Sequence, residues 1–167
     1  MKDEILFAER QKFKQWWLWL ILIGVAIIPF YGIYKQNIKG EVFGNNPMSN
    51  TGSIISLIIP FGIIVLFWLF KLKTEIDTKQ IRIIFFPLVS RTVEWRDVKS
   101  AQVLNYGFVG GWGIRLFTEY GTVYNTKGNK GLAIELKNGK KFIVGTQKMD
   151  ELSEVIESVF YSQSETK

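Results

Sequence analysis

The chain has 167 residues, 47% of them hydrophobic and 22% charged, with a formal charge of +6. It contains neither cysteine nor histidine. Disulfides and thiol chemistry are thereby excluded, and the commonest metal ligand and general base are missing.

The leader carries Lys2, Arg10, Lys12 and Lys14. Two apolar runs without a charged residue follow, Trp16–Tyr34 and Ile54–Phe70. Each approaches the ~20 residues a helix needs to cross a bilayer, which predicts a transmembrane hairpin over residues 1–70 with an outer loop at 35–53. The first run is too long for a cleaved signal, and no small-x-small site follows it. Its loop holds only Lys35 and Lys39, whereas Lys71 and Lys73 open a lysine-rich remainder. Basic residues stay in the cytoplasm, so both termini are expected inside. Trp16, Trp17 and Trp19 mark the inner interface of the first span, Tyr31 and Tyr34 its outer end, and Trp68 the inner end of the second. Both spans carry an Ile-Ile-Pro-Phe stretch, at Ile27–Phe30 and Ile58–Phe61. The prolines predict kinks tolerated in a tight pair, with Gly24, Gly32 and Gly62 allowing close approach.

After the second span the period changes to two. Leu72, Thr74 and Ile76 alternate with Lys73, Glu75 and Asp77, the pattern of a half-buried strand. Further strands are expected at Gln80–Phe86, Val89–Glu94, Ser100–Tyr106, Trp112–Phe117, Gly121–Asn125, Leu132–Leu136 and Lys141–Val144. Asn138-Gly139 is the strongest hairpin signal. Leu152, Val155, Ile156, Val159 and Phe160 recur at helical spacing, opposite Asp150, Glu151, Glu154 and Glu157. Residues 71–167 therefore read as a strand meander closed by an amphipathic helix.

That order suits a pleckstrin-homology-like (PH-like) antiparallel barrel plugged by its C-terminal helix. Several stretches make the resemblance specific: Phe13–Trp17, Phe43–Pro47, Gly111–Arg115, Tyr124–Gly131, Leu136–Lys140 and Gly145–Gln147. Through them the chain resembles a bacterial family of uncharacterised membrane proteins with two spans and a cytoplasmic PH-like domain. The resemblance implies an inner-membrane, multi-pass protein of α+β class and brings no activity and no catalytic residue with it.

Little chemistry is apparent. Gly107–Gly113 is glycine-rich, but a strand follows it rather than a helix, so it reads as a turn and not a phosphate loop. Asp77, Glu94, Asp97 and Glu119 are scattered over different strands and form no acid/base or metal set. No catalytic residue, metal or cofactor is expected, and no nucleic-acid partner. Lys71–Thr146 holds 13 basic residues against 6 acidic, whereas residues 147–167 hold 2 against 5. A basic surface beneath a bilayer feels anionic headgroups, although positive-inside bias gives the same composition. The first hairpin offers only Lys73, Lys79 and Arg82, which does not match the basic cluster of phosphoinositide-reading domains.

The expected function is a non-catalytic, membrane-anchored interaction module that binds protein or self-associates. The alternatives are a sensor of anionic lipid or small anions through basic loops, and an enzyme or transporter accessory subunit. In an up-and-down meander the connections 86–88, 107–111 and 138–141 would return to the bilayer. Phe86, Leu88, Phe108 and Val109 would then touch its interface, with Lys140 and Lys141 at headgroups. The far end would hold 78–79, 96–99 and 125–131. There Lys127, Asn129 and Lys130, with Arg115, form the candidate partner or anion site.

Overall fold

The computed structural model describes residues 4–47 and 49–161. Its elements are β1 (Ile5–Lys12), α1 (Trp16–Asn37), α2 (Asn50–Leu69), β2 (Lys71–Asp77), β3 (Gln80–Phe86), β4 (Val89–Glu94), β5 (Val98–Asn105), β6 (Gly113–Thr118), β7 (Gly121–Asn125), β8 (Lys130–Leu136), β9 (Lys141–Gly145) and α3 (Met149–Ile156). A 3-10 turn at Trp95–Asp97 precedes β5, and a π-helical turn at Glu157–Tyr161 ends α3. Contacts divide the chain into two compact units: Met1–Phe13 with Phe70–Lys167, and Lys14–Leu69.

In the helical unit, α1 and α2 are both long and apolar enough to cross a membrane. They contain Pro29 and Pro60 respectively. Among the described residues only Gly32 is buried in α1 and none in α2. Leu20, Ile28, Phe30, Ile58 and Phe61 are all more than half exposed. Such a pair has no core of its own, and its apolar faces need an apolar solvent. The connecting segment folds back on α1, where the Phe43 ring lies against Gly32 and edge-on to Tyr31 at 5.9 Å.

The β unit is a sandwich of two sheets, of order β1-β2-β3-β4 and β5-β8-β9-β7-β6. No ladder joins the two sheets among the described residues, so the second layer does not close with the first into a barrel. Every pair is antiparallel except β7–β9. The expected strands after residue 70 are present, but β1 is not among them. Residues 5–12, which read as part of a charged leader, pair with β2 from Ile5↔Asp77 to Lys12↔Lys71. The unit thus takes in Met1–Phe13 as well as Phe70 onward, whereas the sequence pattern suggested a division at residue 70 alone. The strand was hidden because its inward row is Phe7, Glu9 and Gln11, in which two polar residues interrupt the apolar alternation.

The inner faces supply the core. Leu72, Ile76, Ile81, Ile83 and Phe85 come from the first sheet, and Leu132, Ile134, Phe142 and Val144 from the second, all fully or almost fully buried. The sheets cross. At one end of β9 the Arg91 guanidinium of β4 lies 4.0 Å from the Phe142 ring, and at the other Gln11 of β1 donates to the Gly145 carbonyl at 2.7 Å. One strand of the second sheet therefore traverses the first from β4 to β1. The helix α3 packs on β5, β8 and β1. Leu152, Ile156 and Val159 are buried, whereas Val155 and Phe160, also expected inside, are half-buried. The wider π turn shifts the last side chains off the 3.6-residue stripe. Phe160 packs against Trp95, with ring centroids 5.9 Å apart.

Candidate functional site

The second sheet is not a meander. Because β9 pairs with β8 on one side and with β7 in parallel on the other, β7 and β8 are separated although consecutive in the chain. The ends Asn105, Gly113, Asn125, Lys130 and Gly145 fall together at one edge of the sheet. The loops 106–112 and 126–129 are therefore neighbours, not residents of opposite ends as a meander required. Tyr106 N donates to the Asn129 carbonyl at 2.9 Å, and the Tyr106 hydroxyl to the Gly128 carbonyl at 3.4 Å. The Asn138-Gly139 hairpin, with Lys140 and Lys141, lies at the opposite end.

This edge is held by a buried polar junction. Gln11 Nε2 donates to the Gly145 carbonyl, and Gln11 Oε1 accepts from the Thr126 hydroxyl at 2.9 Å. The Glu9 carboxylate accepts from the Thr146 hydroxyl at 2.6 Å and from Gln147 N at 2.9 Å. Gln147 Nε2 donates in turn to the Lys127 carbonyl at 2.8 Å. Asn125 Nδ2 donates to the Tyr106 hydroxyl at 2.9 Å, and its Oδ1 accepts from Gly113 N at 3.0 Å. Burial pushes the Tyr106 phenol above its ordinary pKa, and the Asn125 hydrogen bond partly opposes this. A Cβ on Gly145 would lie 2.9 Å from that of Asn125, so this approach of β9 to β7 excludes a larger residue. The stretches Tyr124–Gly131 and Gly145–Gln147 thus meet β1 in space. Glu9 and Gln11 went unread because neither stands in a recognisable motif.

The candidate residues fall into two groups. Lys127, Asn129 and Lys130 are exposed on or beside the 126–129 loop, and the Lys130 carbonyl accepts from Thr146 N. Arg115 stands on β6 opposite Val123. Its guanidinium lies where a Cβ on Gly111 would project, and its Nε is buried without a hydrogen-bond partner among the described residues. No contact joins Arg115 to Lys127 or Lys130 among the described residues.

The proposed membrane-interface residues are dispersed as well. Trp16, Trp17 and Trp68 are exposed on the helical unit. Phe86 and Leu88 are exposed at the β3–β4 turn. Phe108 is 89% exposed, while Val109 folds inward onto a cluster of Tyr106, Val123 and Ile143. Lys141 lies 3.4 Å from Glu135, which Lys99 also pairs with at 2.5 Å. These ammonium groups, Lys99 first, hold the Glu135 carboxyl below its usual range.

The sequence did not single out Leu116 and Phe117. They lie in an irregularity of the β6–β7 ladder between Arg115 and Thr118, on the outer strand of the sheet. Phe117 is 98% exposed at φ +59°, the one non-glycine residue with positive φ among the described residues. No protein-family model matches the chain, and no curated protein matches it.

Proposed function

We propose that the chain is a membrane-anchored, non-catalytic interaction module, and that the β6 edge binds a protein partner or a second copy of the chain. The observation that carries this reading is Phe117, an aromatic side chain almost wholly in solvent on a left-handed backbone. That conformation costs roughly 1–2 kcal/mol for a residue with a Cβ. Backbone strain of this kind and edge-strand irregularities recur at binding sites. Leu116 beside it adds exposed apolar surface. Arg115 on the same strand adds a polar group beside it, whereas Lys127, Asn129 and Lys130 lie at the other end of β6, by Gly113 and Asn125, outside this patch. A second reading, an anion site at Arg115, has its unpartnered buried Nε in its favour.

The PH-like assignment and the bacterial two-span family belong to the same proposal. Two crossing sheets with a C-terminal helix support it, as do the stretches through which the resemblance was drawn. So does the topology: Lys12 and Lys71 are ladder partners, so two spans between them must start and finish on one side of a bilayer. The lysine excess makes that side the cytoplasm, with the outer loop around Asn46 external. The absence of histidine and cysteine from the chain supports a non-catalytic role.

A photo-crosslinking analogue at position 117, in the full chain in native membranes, tests the binding reading. Products of discrete mass that disappear with Leu116→Ser are expected, and a mass of twice the chain would identify self-association. No product at 117 would contradict the reading.

A further inference from the structure

The first sheet carries a second surface, on its outer face at the end where β1 stops and β2 begins. Residues directly opposite across an antiparallel ladder share a face. Here Arg10 stands opposite Lys73, and Lys12 opposite Lys71. Like charges so placed repel and weaken the ladder, yet two such pairs follow one another. The next strand continues both rows with apolar residues, Ile84 beside Lys73 and Phe86 beside Lys71. Glu75 offsets part of this charge, through contacts of 2.7 Å to Lys73 and 3.4 Å to Arg82. Lys71 Nζ lies 5.9 Å from the centre of the Phe86 ring.

Arg10, Lys71, Lys73, Ile84 and Phe86 line a cavity of about 350 Å³, at the lower end of the ~300–1,000 Å³ typical of small-ligand sites. Cations on one wall and an aliphatic and an aromatic side chain on the other suit an amphiphile with an anionic head. Leu88, in the turn after Phe86, is a further exposed apolar side chain close in sequence to this wall. The covalent chain narrows the choice further. Phe13–Gln15 alone separate Lys12 from the start of α1, and Phe70 alone separates α2 from Lys71.

We infer that this face binds the headgroup of an anionic phospholipid from the membrane that α1 and α2 enter. The phosphate lies among Arg10, Lys71 and Lys73, and the glycerol and upper acyl carbons lie along Ile84, Phe86 and Leu88. The lipid phosphate relieves the like-charge pairs, so the ladder between β1 and β2 is tighter when the site is filled. This site is separate from the β6 edge, and either reading can fail without the other.

The native chain has no cysteine, so Ser90→Cys, opposite Ile84 on the exposed face, accepts a single environment-sensitive fluorophore. The full labelled chain is placed in nanodiscs of phosphatidylcholine, with or without phosphatidylglycerol. A blue shift is expected only with phosphatidylglycerol. It should be lost in Arg10→Gln/Lys73→Gln, retained in Arg10→Lys/Lys73→Arg, and unaffected by Lys127→Gln/Lys130→Gln. The phosphatidylglycerol needed for half the shift should rise roughly fivefold when Lys73→Gln is introduced alone, because each basic residue near the surface contributes about that factor to anionic-lipid binding. Equal spectra in both nanodiscs would overturn the inference, as would a shift that survives Arg10→Gln/Lys73→Gln. The same shift produced in phosphatidylcholine by inorganic phosphate would overturn the lipid assignment in favour of a soluble anion.

Discussion

Glu9 is a carboxylate turned into the sandwich, and its two acceptor contacts explain why it is tolerated there. Thr146 and Gln147 hydrogen-bond to it at 2.6 and 2.9 Å, and hydrogen bonds to a charged group are the stronger kind. Thr146→Val removes one of them, and also the hydroxyl that accepts from Lys148 N at 3.0 Å. The variant should lose about 1–3 kcal/mol in thermal or denaturant unfolding. Tyr106 provides a pH signature. Its phenol pKa is raised from 10.0 by burial, so the folded state holds the proton more tightly than the unfolded chain. That contribution is complete below the unfolded value of about 10 and is lost as pH rises through the folded value. An alkaline fall in unfolding temperature beginning near pH 10 is expected, and Tyr106→Phe should remove that component of it. Neither Glu9 nor Tyr106 declares its role in the sequence. A polar residue in a strand ordinarily faces water, and only the tertiary partner shows that it does not.

Among the elements, the strands after residue 70 were readable almost to the residue, since apolar alternation and Gly, Pro and Asn turn signals coincide there. The pairing of those strands was not readable. Consecutive strands most often pair, and the meander rested on that preference. The parallel β7–β9 ladder overrides it, because the 126–129 loop carries the chain past β9 to β8. The consequence for the site is direct: Phe108 joins the end that holds Lys127 and Lys130, while Lys140 and Lys141 go to the other. The C-terminal helix was visible from its apolar stripe, but not the π turn at its end. Substitution there should follow the observed burial. Leu152→Ala, 1% exposed, should cost about 2–5 kcal/mol. Phe160→Ala, half-buried against Trp95, should cost less than Leu152→Ala in the same unfolding assay. An equal or larger loss at Phe160 would mean that the apolar stripe continues unbroken through the last turn.

At the scale of the whole chain, one β-sandwich is interrupted by two long apolar helices inserted between its first two strands. Arg10 and Lys12 read as topology signals in the sequence. Pairing with Lys73 and Lys71 makes them half of a basic face, which no local pattern could show because the partners are some sixty residues apart. The insertion is also the claim on which the account rests, since it decides which residues form the folding unit. Replacing Lys14–Leu69 with a short Asn-Gly turn joins Phe13 to Phe70 across a ladder whose ends, Lys12 and Lys71, are already neighbours. The resulting chain should be soluble and should unfold cooperatively. Residues 71–167 alone lack β1, leaving β2 as an open edge and Ile76 and Leu72 without their ladder partners Phe7 and Gln11. They should aggregate or unfold without a cooperative transition. The decisive measurement is the unfolding of these two proteins side by side. A sharp transition for the joined chain and none for residues 71–167 is the predicted result, and equal stability of the two would contradict the account.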